Sequence, residues 1–191
     1  PKDVCEAHDE GIIHQHDMDY MAQFALSNCC LINLEDILLN GTTINGIRID
    51  PQHRLLTATT VATQVITAVA SSQYGGTTIT LTHLSPFLRD SFAKYYKDGL
   101  NYLAKVESID CEILNMLNNA KEYSIYDEKY KAYNSNVYEY ALNMTKREVK
   151  DSVQTFNYQI NSMSTTNGQS PFLSVNMYIS ENTKYEDETA L

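Results

Sequence analysis

After Arg54 the chain runs through Ser72 without a single charged residue, reading LLTATTVATQVITAVASS. Leu55, Leu56, Val61, Ala62, Val65, Ile66, Ala68 and Val69 recur at helical spacing, which predicts a helix over about 54–72. A helix that is apolar and small-residue-rich over much of its circumference is either deeply buried or packed against a partner chain. At 191 residues the chain can supply one domain with a real core, or form a piece of a larger one. It opens Pro1-Lys2-Asp3, and Val4-Cys5-Glu6-Ala7-His8 already reads as mid-helix sequence. The expectation is a piece cut from a longer protein.

The remaining pattern is helix-dominated, an α/β chain with few strands. Residues 3–11 read as a helix end stopped by Gly11. Leu34–Leu39 reads as a helical turn, and Asn45-Gly46 closes a hairpin carrying Thr43-Ile44 against Ile47–Ile49. Gln73 to Thr78 reads as a glycine turn. A helix from Pro86 to about Val106 is expected with Ser85 as its cap, and another over 110–121 behind Ser108. A long helix opens at Asn134 or Ser135 and runs to about Met163, before a strand over 172–179. The strands have no obvious partners, and unpaired buried edges are not tolerated in a complete domain.

Charge and composition exclude several classes. Fourteen basic against 24 acidic residues give a formal charge of −10, which argues against a nucleic-acid surface. Part of the acidic excess lies in the last eleven residues, ENTKYEDETAL, expected to fray. No apolar run approaches the roughly 20 residues of a membrane span, and no charged-then-apolar leader is present. Fourteen tyrosines and no tryptophan suit half-buried helix faces with a wet hydroxyl. Cys5, Cys29, Cys30 and Cys111 show neither CxxC nor zinc spacing, and a vicinal disulfide is strained. A soluble protein of the reducing cytoplasm is the simplest reading, with the Asn40 and Asn143 glycosylation motifs due to chance.

Chemistry-bearing residues concentrate between Gly11 and Leu38. If extended, His14, His16, Met18 and Tyr20 share one face, and Asp17 and Asp19 the other. His14 and His16 could hold zinc or iron with a third ligand from Asp19, Cys29 or His8. They could equally be satisfied by carboxylates in a packed layer, or bond a substrate hydroxyl or phosphate. Cys29 and Cys30 point to opposite faces of a strand, so one thiol can look into a cavity while the other packs. Gln73-Tyr74-Gly75-Gly76 lacks phosphate-loop spacing and reads as a tight packing turn. The Asn167–Pro171 segment offers amides and free backbone donors.

Taken jointly, GIIHQHDMDY, SNCCLINLEDILLNGTTINGIRID, ITAVASSQYGGTTIT, LSPF and VQTFNYQINSMSTTNGQSPFLSV resemble the anaerobic (class III) ribonucleoside-triphosphate reductases, in the family's order and approximate spacing. The resemblance implies a fragment of a ten-stranded α/β barrel, 1–191, with an active-site strand at about 12–33, dimer and effector helices at about 54–106, a long helix at about 134–163 and a strand at about 172–179. It implies reduction of ribonucleoside triphosphates by glycyl and thiyl radical chemistry, the radical being made by an iron–sulfur, S-adenosylmethionine-dependent activase, with formate as electron source.

By position Cys29 matches the family's reductant cysteine on the first barrel strand, His14 an active-site histidine and His16 its neighbour. Asn28, Asn167, Gln169 and Ser170 are implied substrate-pocket residues. Asp50, Gln64 and Lys94 resemble positions of an allosteric nucleotide site, and the uncharged helix resembles the family's homodimer interface. The glycyl-radical motif, the thiyl-loop cysteine, the regulatory ATP domain and the C-terminal zinc site have no counterpart in these residues. The polypeptide is therefore expected to be inactive alone, and no metal site is assigned to it. The competing readings are another glycyl-radical enzyme of the formate-lyase kind, and a His/Asp metal-binding or structural helical module.

Overall fold

A computed structural model of the protein describes residues 2–14, 28–73, 75–106, 121–166, 168–178 and 184–191. Along the chain these form α1 (Lys2–Asp9), β1 (Cys30–Leu31), α2 (Leu34–Asn40), β2 (Thr42–Ile44), β3 (Ile47–Ile49), α3 (Leu55–Ala70) and β4 (Thr77–Thr80). A 3-10 turn (Leu81–Leu84) leads into α4 (Ser85–Val106), followed by α5 (Glu128–Tyr133), α6 (Ser135–Ser162), β5 (Leu173–Asn176) and α7 (Glu186–Thr189). The expected helix-dominated α/β class is what is observed.

The strands expected to lack partners pair with one another. β4 lies between β1 and β5, parallel to both, with Cys30 beside Thr77 and Thr77 beside Leu173. Each parallel step is made by a crossover containing helices, as parallel pairing requires. The central strand falls partly inside the segment read as a glycine turn. Its TTIT run is β-branched but not cleanly alternating, so Gly75-Gly76 dominated the sequence signal. The hairpin forms as expected, with Thr42 opposite Ile49 and Ile44 opposite Ile47. Asn45 at φ 51° and Gly46 at φ 79° supply the two left-handed residues of its two-residue turn.

Helices cover one face of the parallel sheet. Ile32, Leu34, Leu38, Ala58, Ala62, Ile66, Ile79 and Phe87 form a core into which Cys30 and Leu173 also pack. A second core joins Phe92, Tyr96, Leu100, Ile125, Tyr130 and Tyr138 between α4, α5 and α6. α6 packs along both α3 and α4. Ala58 and Ala62, fully buried, let the α3 backbone come close, while the Thr67 hydroxyl reaches Met163 Sδ at 3.3 Å. An apolar cavity of about 480 Å³ remains between α3, α4, α6 and the segment after β5, with Leu88, Val149 and Phe156 in its wall.

Three local expectations change. Ser85 has helical torsions and bonds Thr189 Oγ1 at 2.9 Å instead of capping α4. Tyr96 and Tyr130 are fully buried, not half-buried, and the Tyr96 hydroxyl donates to the Tyr130 carbonyl at 3.1 Å. The tail expected to fray is docked from Lys184 onward. There the Arg89 guanidinium bonds both Glu188 carboxylate oxygens at 2.8 and 3.0 Å and the Lys184 carbonyl, while lying over the Tyr185 ring. α5 has no counterpart in the sequence reading. The helix expected over 110–121 with its Ser108 cap lies outside the described residues, whereas Asn134 does cap α6 through Val137 N.

Candidate active site at the start of the parallel strands

Cys29 stands one residue before β1, exposed, with Asn28 exposed beside it. Cys30 is half-buried against the helical core, and burial, then the neighbouring Cys29 charge, pushes its thiol pKa up. A thiol held protonated among apolar side chains is a poor nucleophile and a poor redox partner. The two adjacent cysteines are therefore inequivalent: Cys29 is presented to solvent, while Cys30 packs against the helical core.

What holds Cys29 is a turn whose packing partner was not legible in the sequence. The Gly75 amide donates to the Asn28 carbonyl, and the Cys30 amide donates to the Gly76 carbonyl at 3.3 Å. Gln73, buried, donates through Nε2 to the Gly75 carbonyl at 3.1 Å and to Thr77 Oγ1 at 2.6 Å. The segment read as a tight packing turn is one, and the object it packs against is the Asn28–Cys29 backbone and thiol.

The loop before β5 reaches the same end of the sheet. The Phe172 carbonyl accepts from Thr77 N at 2.8 Å, and Thr166 bonds Ser71 through both its amide and its hydroxyl. Thr165 N donates to the Gln169 carbonyl and Gly168 N to the Thr165 carbonyl, which folds the loop tightly on itself. Gln169 and Ser170 are exposed. Asn167 lies outside the described residues. Asn28-Cys29, Gly75-Gly76 and the 165–172 loop thus stand at the N-terminal ends of three neighbouring strands.

The other assigned residues are more scattered. His14 is exposed just beyond α1, its ring 5.4 Å from that of His8. His16, Asp17 and Asp19 lie outside the described residues, as does most of the segment expected to be extended. Among the described residues no group of three His, Cys, Asp or Glu comes together as a metal site. Asp50 is exposed after β3, 4.0 Å from Arg48 Nε. Gln64 is exposed on α3, and Lys94 on α4 pairs with Asp98 at 3.1 Å. An exposed helix pair of this kind contributes little to stability. No helix among the described residues is long and apolar enough to cross a membrane.

Comparison with known proteins places this geometry in a lineage. All of residues 1–191 match the family model of the anaerobic ribonucleoside-triphosphate reductases. The chain is 35% identical to the anaerobic ribonucleoside-triphosphate reductase of Haemophilus influenzae over 175 residues, 91% of this chain and 20% of that protein. The enzyme of the same name from Escherichia coli K12 gives the same figures. That of Enterobacteria phage T4 is 30% identical over 177 residues, 92% of this chain and 24% of its own length. The chain thus spans a fifth to a quarter of the relatives it matches. Neither the formate-lyase kind nor a structural metal module is favoured by these matches, and the chain belongs to the anaerobic ribonucleoside-triphosphate reductase family.

Proposed function

We propose that this chain is the part of a cytoplasmic anaerobic ribonucleotide reductase that presents the reductant thiol, Cys29, to the ribose of a ribonucleoside triphosphate. The observation that carries the reading is the inequivalence of the vicinal pair: Cys29 exposed at the mouth of β1, Cys30 turned into the helical core. In this reading β1, β4 and β5 are neighbouring staves of the ten-stranded barrel. The face opposite the helices is then the barrel interior. A glycyl radical carried elsewhere in the protein, generated by an iron–sulfur S-adenosylmethionine activase, supplies hydrogen-atom abstraction from the sugar. Zinc belongs to the C-terminal part of the whole enzyme, away from these residues.

The tasks left to this chain are reduction, orientation and proton handling. Cys29 delivers hydrogen at the 2′ carbon as the 2′-hydroxyl departs as water. Two electrons come from formate, which leaves as carbon dioxide. An exposed thiol free of disulfide suits that task, since it must meet both substrate and reductant. His14, supported by His16, hydrogen-bonds or protonates near the leaving hydroxyl. Asn28 and the Asn167–Ser170 loop, with Gln169 and Ser170 exposed, supply pocket amides and hydroxyls. The outer side of α3 forms a homodimer interface, and Asp50, Gln64 and Lys94 take an effector nucleotide, Lys94 through its phosphates.

The test is a pair of substitutions in the full-length protein, activated and supplied with formate. Cys29→Ser abolishes deoxynucleotide formation, by about a thousandfold or more, because oxygen cannot replace sulfur in the reducing step. Cys30→Ser keeps turnover within about tenfold, since its cost is confined to packing. Turnover by Cys29→Ser near the wild-type rate would sink the assignment.

A further inference from the structure

Gly75 is not required by its own backbone, because its φ lies outside the left-handed region. The requirement is steric. A Cβ built there would lie 2.6 Å from Cys29 Sγ and 3.0 Å from Asn28 Oδ1, and closer still to the Asn28 carbonyl that accepts the Gly75 amide. Real Cβ atoms do not come that near, so any side chain at position 75 must displace the thiol or open the turn. The next residue behaves differently. A Cβ at Gly76 would find nothing nearer than the Phe172 carbonyl at 3.7 Å, an ordinary contact. Two adjacent glycines therefore differ in kind, and the one without room is the one against the sulfur.

We infer that Gly75 is a positioning residue for Cys29: its missing side chain lets the turn before β4 close on the Asn28–Cys29 segment and fixes where the thiol stands. Gln73 holds the turn from its other side, bridging the Gly75 carbonyl and Thr77 Oγ1. The thiol is thus set by contacts from the turn leading into the neighbouring strand β4, and not only by its place at the start of β1. The catalytic consequence rests on the reading of Cys29 as the reductant, whereas the steric claim does not. A reducing thiol displaced by a fraction of an ångström to an ångström loses on the order of tenfold to a hundredfold in rate.

The experiment uses the full-length reductase and two readouts: the rate of Cys29 alkylation by iodoacetamide, followed by mass spectrometry of its peptide, and activated turnover at varied ribonucleotide. Gly75→Ala slows alkylation by roughly fivefold or more, because a methyl group now flanks the sulfur, and lowers kcat by about tenfold or more with KM changed by less than about threefold. Gly76→Ala, with the same loss of backbone freedom, alkylates within about twofold of wild type. Wild-type alkylation and kcat in Gly75→Ala overturn the inference, even where Cys29→Ser is inactive and the reductant reading stands. Slowed alkylation with unchanged turnover upholds the steric claim but overturns the positioning role in catalysis, and the reductant reading then rests on Cys29→Ser alone. Should Gly75→Ala fail to fold, Gln73→Ala adds no atom to the turn. Its release speeds alkylation and lowers kcat by about fivefold, and wild-type values for both overturn the inference.

Discussion

Tyr96 stacks among Phe92 and Tyr130 with about 1% of its surface exposed, and its hydroxyl donates to the Tyr130 carbonyl. Burial, reinforced by Tyr133, pushes its pKa up to about 12. The unfolded phenol titrates near 10, so between pH 10 and 12 the unfolded state has lost a proton that the folded state keeps. Stability from this group is whole below pH 10 and falls by about 1.4 kcal/mol per pH unit until the folded pKa is passed. Tyr130 and Tyr138 are shifted upward by burial too and steepen the same alkaline loss. Urea unfolding from pH 8 to 12 should show it, and Tyr96→Phe should flatten the slope while costing about 1 kcal/mol at neutral pH for the lost hydrogen bond. Composition revealed many tyrosines on helices but not which ones would be enclosed, because enclosure comes from α5, an element with no strong periodic signal. Arg89 and Glu188 make the same point. Their buried pair spans 99 positions, and an arginine in a helix and a glutamate in an acidic tail are each unremarkable until the fold joins them.

Among the elements, legibility follows how local the cause is. α3, α6 and the hairpin were readable because periodicity, a cap and a two-residue turn act within a few positions. β4 was not, because its identity as the central strand comes from the neighbours on either side. The absence of charge along α3 has a double outcome. Leu55, Ala58, Ala62, Val65 and Ile66 face the protein's own core, which accounts for one side. Thr57 and Gln64 are exposed and Val61 and Ala68 half-buried, a stripe of small or weakly polar groups recurring every three to four residues on the other. Under the proposed homodimer, this charge-free outer face is the one a two-fold interface would cover. Placing Glu at both ends of the stripe, Thr57→Glu with Ala68→Glu, brings like charges together across such a contact and leaves the inner face untouched. Sedimentation of the full-length protein should then show the proposed dimer dissociating at concentrations at least about tenfold higher than wild type. An unchanged sedimentation coefficient at all concentrations would place any dimer contact elsewhere.

At the scale of the whole molecule the sheet is lopsided. Parallel sheets occur with both faces covered, and among the described residues helices cover one. Leu31, Thr78 and Ser174 lie side by side in register on the opposite face; Leu31 is 69% exposed, and Phe172, at the entrance to β5, is 65% exposed. The relatives are four to five times longer than the matched region, which is ample chain to cover that face. The barrel reading therefore assigns Leu31 and Phe172 an energetic role that they do not have in the 191 residues alone. In the isolated chain, Leu31→Lys or Phe172→Lys replaces one exposed side chain by another and should change unfolding free energy by no more than about 0.5 kcal/mol. In the full-length enzyme the same substitutions bury a charge against the interior layer and forfeit about 1.5–3 kcal/mol of apolar burial, before any penalty for the lysine. Denaturant unfolding of both forms, or thermal melts where the large protein unfolds irreversibly, should show the asymmetry. Equal and small effects in the two settings would mean that this face stays open to solvent, and that β1, β4 and β5 are not staves of a closed barrel around Cys29.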